Sequence, residues 1–412
     1  MSDIEILAPA GDKERLDAAL LFGADAVYLA GKSYGMRGSP ANFNLDELKN
    51  ACDKAHDLGK KVYLTVNILP NNSEADRLEG YIKDAYSCGI DAAIVSDIGS
   101  FALIRKAVPD LLLHVSTQAG VVNYLTARTF YEMGAKRVVL ARELSLDEIA
   151  EIRAKTPKEL EIECFVHGAM CVSFSGRCLL SQYLTGRNAN RGECAQPCRW
   201  SYSLVEETRP NEYYSIAEDE KGSYILNAKD LCMIEHLDKL AKAGVTSFKI
   251  EGRAKSAYYV SVVTNAYKKA KEVLLNNPDN YKLPEWIKDE VFKVSHRKYC
   301  TGFYFGHPND CQYYPTSGYE RICDIVAVVE SYDSGMLRCS QRNRFFEGDE
   351  LELLIPDSEP IKFVANEIYD ESGERVQNAN KATMKLSIPF NIEVPAGSII
   401  RKEITNNKSE KI

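Results

Sequence analysis

Of the twelve cysteines in the chain, Cys171, Cys178, Cys194 and Cys198 fall close together. Cys171-x6-Cys178 and Cys194-x3-Cys198 lack the tight Cys-x2-Cys spacing of a zinc ribbon, and Pro197-Cys198 is not a thioredoxin-type redox motif. Looser spacing suits an iron–sulfur cluster, whose ligands need only meet the corners of a cube, and all-thiolate ligation fits its softness. Zinc, or inert buried thiols, are alternative readings of the same four residues. Cys232 is an alternative fourth ligand in place of Cys198. Cys164 sits in an apolar run and reads as a packed side chain. Between residues 171 and 200 Arg177, Arg187, Arg191 and Arg199 face the lone acid Glu193, with Tyr183 and Trp200 as flat surfaces. This island suits an anionic substrate or RNA, or else a solvated loop that neutralises a cluster.

Further reactive or binding groups stand where short apolar runs end: Asn67, Ser96, Gln118, Arg142, His167, Glu251 and Arg253. Arg142, Arg177 and Arg253 carry guanidinium forks that match a carboxylate or a phosphate. His167 is a candidate proton carrier near Cys171. His167, Arg142 and Glu251 are the catalytic candidates, and Arg177, Arg191, Arg253, Asn67 and Gln118 the substrate-binding ones. Each singly has a plainer reading as a helix cap or a core group.

The elements that must position these groups repeat as strand then helix. Ile4–Ala8, Ala26–Ala30, Lys61–Asn67, Ala92–Ser96, Leu112–Ser116, Arg137–Ala141, Leu160–Val166 and Ser247–Glu251 read as strands. Amphipathic stretches separate them, several ended by Gly, and the last helices read as Leu231–Ala243 and Ala257–Leu275. Eight such units with strands fit for burial on both faces predict a closed TIM-like (β/α)8 parallel barrel over residues 1–275. The cysteine-rich stretch is an insertion at about 168–230, between strands seven and eight. An open doubly wound sheet is the alternative, weakened by the lack of Gly-x-Gly-x-x-Gly after the first strand. In a barrel the strand ends share one mouth, which gathers the polar residues named above.

Pro and Asn breakers and the basic triplet His296-Arg297-Lys298 mark 276–317 as a connector. Alternating patterns from Arg321 predict a small all-β barrel over 318–412. The formal net charge of −8, from 51 Lys+Arg against 59 Asp+Glu, argues against a general nucleic-acid coat but leaves room for a local basic groove. No apolar run is long enough for a membrane span, and the first residues lack a signal-peptide pattern, so a cytoplasmic protein away from membranes is expected.

Glu163-Cys164-Phe165-Val166-His167-Gly168-Ala169-Met170-Cys171 and Ser175-Gly176-Arg177-Cys178-Leu179-Leu180-Ser181 resemble the signature of the U-32 family of collagenase-like peptidases. Leu7-Ala8-Pro9-Ala10-Gly11, Gly23–Tyr28, Arg191-Gly192-Glu193-Cys194 and Lys249-Ile250-Glu251-Gly252-Arg253 resemble it as well. The likeness spans nearly the whole chain, and its length and C-terminal extension are most similar to the branch that makes 5-hydroxyuridine at the tRNA wobble position. The resemblance implies a 4Fe-4S cluster on Cys171, Cys178 and Cys194, with Cys198 fitting the RNA-modifying pattern for the fourth ligand. It also implies tRNA as partner, prephenate as a co-substrate, and a paralogous or homologous subunit as a further partner. The family's name makes peptide hydrolysis the second expectation. The chain has neither His-Glu-x-x-His nor Gly-x-Ser-x-Gly, although a triad assembled from distant segments stays open.

Overall fold

The computed structural model describes residues 4–36, 42–170, 180–187, 193–197, 200, 204–205, 213–214, 218–219, 222–223, 228–306 and 319–404. Cys171, Cys178, Cys198, Arg177 and Arg191 lie outside these residues.

Eight parallel strands close on themselves. They are β1 (Glu5–Pro9), β2 (Ala26–Ala30), β3 (Lys61–Val66), β4 (Ala92–Val95), β5 (Leu112–Val115), β6 (Arg137–Val139), β7 (Glu161–Ala169) and β8 (Ser247–Ile250). Each pairs with the next, and β8 completes the ring by aligning Ser247 with Glu5 of β1. The expected TIM-like barrel is therefore the fold.

Around it run α1 (Lys13–Leu21), α2 (Leu45–Asp57), α3 (Asn72–Ser87), α4 (Ile98–Ala107), α5 (Tyr124–Glu132), α6 (Leu146–Ala154), α7 (Leu237–Lys242) and α8 (Ala257–Asn276). Their starts are chemically specified: Asn44 with Glu47, Asn71 with Glu74 and Ser145 with Glu148 form reciprocal capping boxes. Apolar stripes such as Leu48, Ala51 and Ala55 of α2 face the strands and join the main core. Among the described residues no helix is long and apolar enough to cross a membrane.

One expected helix is corrected. Leu231–Ala243 opens with a short strand, Asp230–Cys232, before α7. The strand forms because β7 runs past the barrel rim, where Leu231 pairs antiparallel with Gly168 and Cys232 with His167. Ladder pairing available only in three dimensions outweighs a local helical pattern.

Charge fills the floor of the barrel. Arg137 bridges Glu5 at 2.6 Å, Glu161 at 2.7 Å and Glu163 at 2.9 Å, and Lys249 meets Glu163 at 2.6 Å. Glu5, Arg137, Glu161 and Glu163 belong to the first halves of their strands, the end of a barrel that serves stability rather than chemistry. Burial opposes ionisation of Glu5, yet the attraction and hydrogen bond of Arg137 outweigh it and hold the carboxyl below its ordinary range.

The C-terminal region is a seven-stranded antiparallel sheet of β9 (Cys323–Asp333), β10 (Met336–Gln341), β11 (Glu350–Leu354), β12 (Ile361–Val364), β13 (Lys385–Pro389) and β14 (Ile399–Glu403), with the two-residue strand Tyr369–Asp370 as the seventh. Val326, Leu337, Leu353, Ile388 and Ile400 form its separate core. The segment before it packs on the barrel: Val291 and Val294 are in the main core, and the Tyr304 hydroxyl donates to the Phe165 carbonyl at 2.6 Å. Arg401 of β14 is 0% exposed and meets Glu290 of α9 (Glu285–Glu290) at 2.6 Å and Glu352 of β11 at 2.8 Å. Lys293 closes this four-charge cluster, at 3.1 Å from Glu290 and 2.9 Å from Glu352.

Candidate functional site

The C-terminal rim of β6 to β8 brings Arg142 and Glu251 together. The Arg142 guanidinium donates to the Ala169 carbonyl at 2.6 Å, stands 3.5 Å from the Glu251 carboxylate and lies 3.8 Å from the centre of the Phe165 ring. A planar cation stacked on an aromatic face and hydrogen-bonded at its edge has few rotamers left, so the pair is held rigidly. Gly168 makes the approach feasible: its φ is 106°, and a Cβ there would sit 2.5 Å from the Glu251 carbonyl oxygen.

Arg253, buried, donates to the Thr65 hydroxyl at 3.1 Å and so ties β8 to β3 across the rim. The Asn67 side-chain oxygen accepts from the Met36 amide at 3.1 Å, which fixes the loop after β2. Gln118 lies in a single 3-10 turn after β5, and its backbone amide donates to Ser116.

His167 takes a different place from Arg142 and Glu251. Strand alternation would set it beside Phe165, but the β7–β8 register shifts between Lys249 and Ile250, pairing His167 with Ile250. Its ring is 1% exposed and sits among tyrosines, with Tyr267 and Tyr299 hydroxyls each 3.3 Å from a ring nitrogen. Burial, followed by the charges of His296 and Lys255, pushes its pKa down to about 3. It is therefore neutral near pH 7.

Cys194 is exposed, and its sulfur accepts from the Gln196 amide at 3.4 Å. Cys232 contrasts with it: burial raises its thiol to about 11, and the sulfur faces the Tyr267 hydroxyl at 3.9 Å. Of the two, Cys194 has the more accessible sulfur, which suits a cluster ligand. Among the described residues no three His, Cys, Asp or Glu side chains are grouped to hold a metal ion.

A cavity of about 560 Å3 opens beside the rim, lined by Gln196, Glu251, Lys255, Tyr259, Tyr319 and Arg321 among others. The cysteine-bearing segment, the end of β8, the start of α8 and the C-terminal region thus share one wall. Lys255, Tyr259, Tyr319 and Arg321 were not singled out by sequence. Lys255 follows the Lys249–Arg253 motif by two residues and was within reach of that reasoning. Tyr319 and Arg321 lie far along the chain, in a segment whose spacing carried no signal. The basic triplet, which by sequence reads as a solvated turn or else a phosphate contact, is largely internal: His296 and Arg297 are buried, and Arg297 donates to the Ala228 carbonyl.

A closed parallel barrel whose rim shares a cavity with a separately cored all-β region is a two-domain plan. The chain belongs to peptidase family U32, whose model matches residues 11–313, and the model of the U32 C-terminal domain matches residues 321–401. It is 35% identical to tRNA hydroxylation protein P1 of Bacillus subtilis, over 97% of this chain and 94% of that protein. It is 45% identical to an uncharacterized protease of Methanocaldococcus jannaschii, over 80% of this chain and 81% of that protein. It is 37% identical to the 23S rRNA 5-hydroxycytidine C2501 synthase of Escherichia coli, over 66% of this chain and 40% of that protein.

Proposed function

We propose that this protein hydroxylates RNA, adding oxygen at C5 of the tRNA wobble uridine, with a 4Fe-4S cluster on Cys171, Cys178, Cys194 and Cys198 and prephenate as small co-substrate. The observation that carries the reading is the position of Cys194, whose exposed sulfur is held by the amide of Gln196, a residue that also lines the cavity with Glu251. Two relatives named for RNA hydroxylation, one acting on tRNA and one on 23S rRNA, support the substrate class. When bound, the cluster would supply the one-electron redox chemistry that side chains lack.

The chain's own groups would do the rest. Arg142 stands 3.5 Å from the Glu251 carboxylate, which lines the cavity and would border an entering nucleotide. Arg253 and Gln118 of the rim, with Arg177 and Arg191 of the insertion, would orient phosphate and base. Asn67 would shape the rim through the Met36 loop. His167 would position Tyr267 and Tyr299 as a neutral ring, since a site with pKa about 3 is a weak proton carrier at pH 7.

Peptide hydrolysis is favoured by the name of the archaeal relative. It leaves the four clustered thiols without a role, and the described partners of the His167 ring nitrogens are tyrosine hydroxyls rather than a carboxylate and a serine. The test is nucleoside mass spectrometry of total tRNA from a strain lacking this gene and any paralogue. Loss of 5-hydroxyuridine and its derivatives is expected; unchanged levels would refute the reading.

A further inference from the structure

Lys255 occupies an unusual setting. Its ammonium lies 4.3 Å from the centre of the Tyr319 ring and 5.2 Å from that of Tyr259, and it donates to the Ser295 carbonyl at 3.3 Å. Among the described residues no carboxylate pairs with it. The nearby charges in the same cavity have counter-ions: Glu251 has Arg142, and Arg321 has Asp324. The start of the twenty-residue α8 also lines the cavity, through Ser256 and Tyr258. The cavity's uncancelled charge is thus positive and sits against an aromatic face. Tyr319 is 41% exposed, and its ring also lies 5.3 Å from the Arg297 guanidinium, so two cations border one partly exposed aromatic side chain.

We propose that Lys255 and Tyr319 form a nucleotide subsite, in which a base of the RNA substrate stacks on Tyr319 while its phosphate pairs with Lys255. Stacking on an aromatic side chain combined with a basic groove is the general means of holding single-stranded nucleic acid. At about 560 Å3 the cavity falls within the range of small-molecule sites. Because Tyr319 stands at the edge of the C-terminal region, the subsite joins that region to the barrel mouth. The proposal rests on the RNA reading and names where one nucleotide is held.

The test uses the full chain and titrates uridine 5′-monophosphate, inorganic phosphate and a plain aliphatic dicarboxylate by calorimetry, at low and raised salt. Uridine 5′-monophosphate should bind, with Lys255→Gln and Tyr319→Ala each weakening it about tenfold or more, and Tyr319→Phe keeping most of the affinity. Phosphate should bind at least about tenfold more weakly than the nucleotide. Equal affinity for phosphate and nucleotide with no effect of Tyr319→Ala would show an anion site without stacking and overturn the proposal. Preference for the dicarboxylate would reassign the site to a small co-substrate, and unchanged binding in Lys255→Gln would remove Lys255 from it. Melting curves of each variant exclude loss of folding as the cause. Loss of nucleotide binding with cellular tRNA still hydroxylated would sink this subsite alone; binding retained while tRNA is never hydroxylated would sink the RNA-hydroxylation reading instead.

Discussion

At the scale of single residues, His167 shows how one register shift changes a side chain's role. By sequence it stands at a strand end near Cys171, either a proton carrier or a core group. The shift at Lys249/Ile250 seats it among Tyr259, Tyr267 and Tyr299. Such an irregularity is set by pairing with a distant strand, so no local pattern reveals it. Its depressed pKa has a consequence for stability. Between pH 6.5 and about 3 the unfolded chain binds a proton that the folded chain does not, so stability falls as pH falls through that window. His167→Gln, which keeps a polar group opposite the tyrosines, should lose about 2 kcal/mol less than the parent between pH 7 and pH 5. Urea titrations at the two pH values check this, and parallel losses would show that His167 is protonated in the folded state. Arg142 and Glu251, by contrast, were legible from their places at strand ends, and the fold brings them within 3.5 Å.

At the scale of elements, the barrel was readable because each unit carries its own signals: capping residues at helix starts, glycine after helix ends as at Gly59 (φ 67°), and apolar strands. What escaped was pairing outside the repeat, as with Asp230–Cys232, and the charged floor. Arg137 begins β6, and nothing nearby in sequence marks it as the hub of Glu5, Glu161 and Glu163. Glu163 is 0% exposed, so removing Arg137 would leave it with Lys249 alone among the described cations. Arg137→Met should therefore destabilise the protein by about 3–5 kcal/mol in denaturant unfolding, far more than loss of a surface pair. A change below about 1 kcal/mol would mean that the floor relaxes without it.

At the scale of the whole molecule, two separately cored regions meet through the buried cluster of Arg401, Glu290, Glu352 and Lys293. Their union places Tyr319 and Arg321 beside Glu251 and Lys255. Arg401→Met should lower the melting temperature and make the chain more susceptible to limited proteolysis between the two regions, releasing a C-terminal fragment. Unaltered digestion would show that apolar contacts, such as those of Leu354 and Ile399 with the main core, hold the regions together by themselves. The two-region plan was legible in the change from helical to alternating pattern near Arg321. The shared cavity was not, because its walls come from segments far apart in the chain.

The central claim is that thiolates of the insertion hold iron beside this cavity. Its most direct test is iron and acid-labile sulfide analysis, with absorption spectra, of the full chain purified and reconstituted without oxygen. Four irons and four sulfides per chain are expected for a 4Fe-4S cluster, with both lost in Cys171→Ala, Cys178→Ala or Cys194→Ala and retained in Cys232→Ala. A colourless chain that takes up neither iron nor sulfide under those conditions would contradict the account.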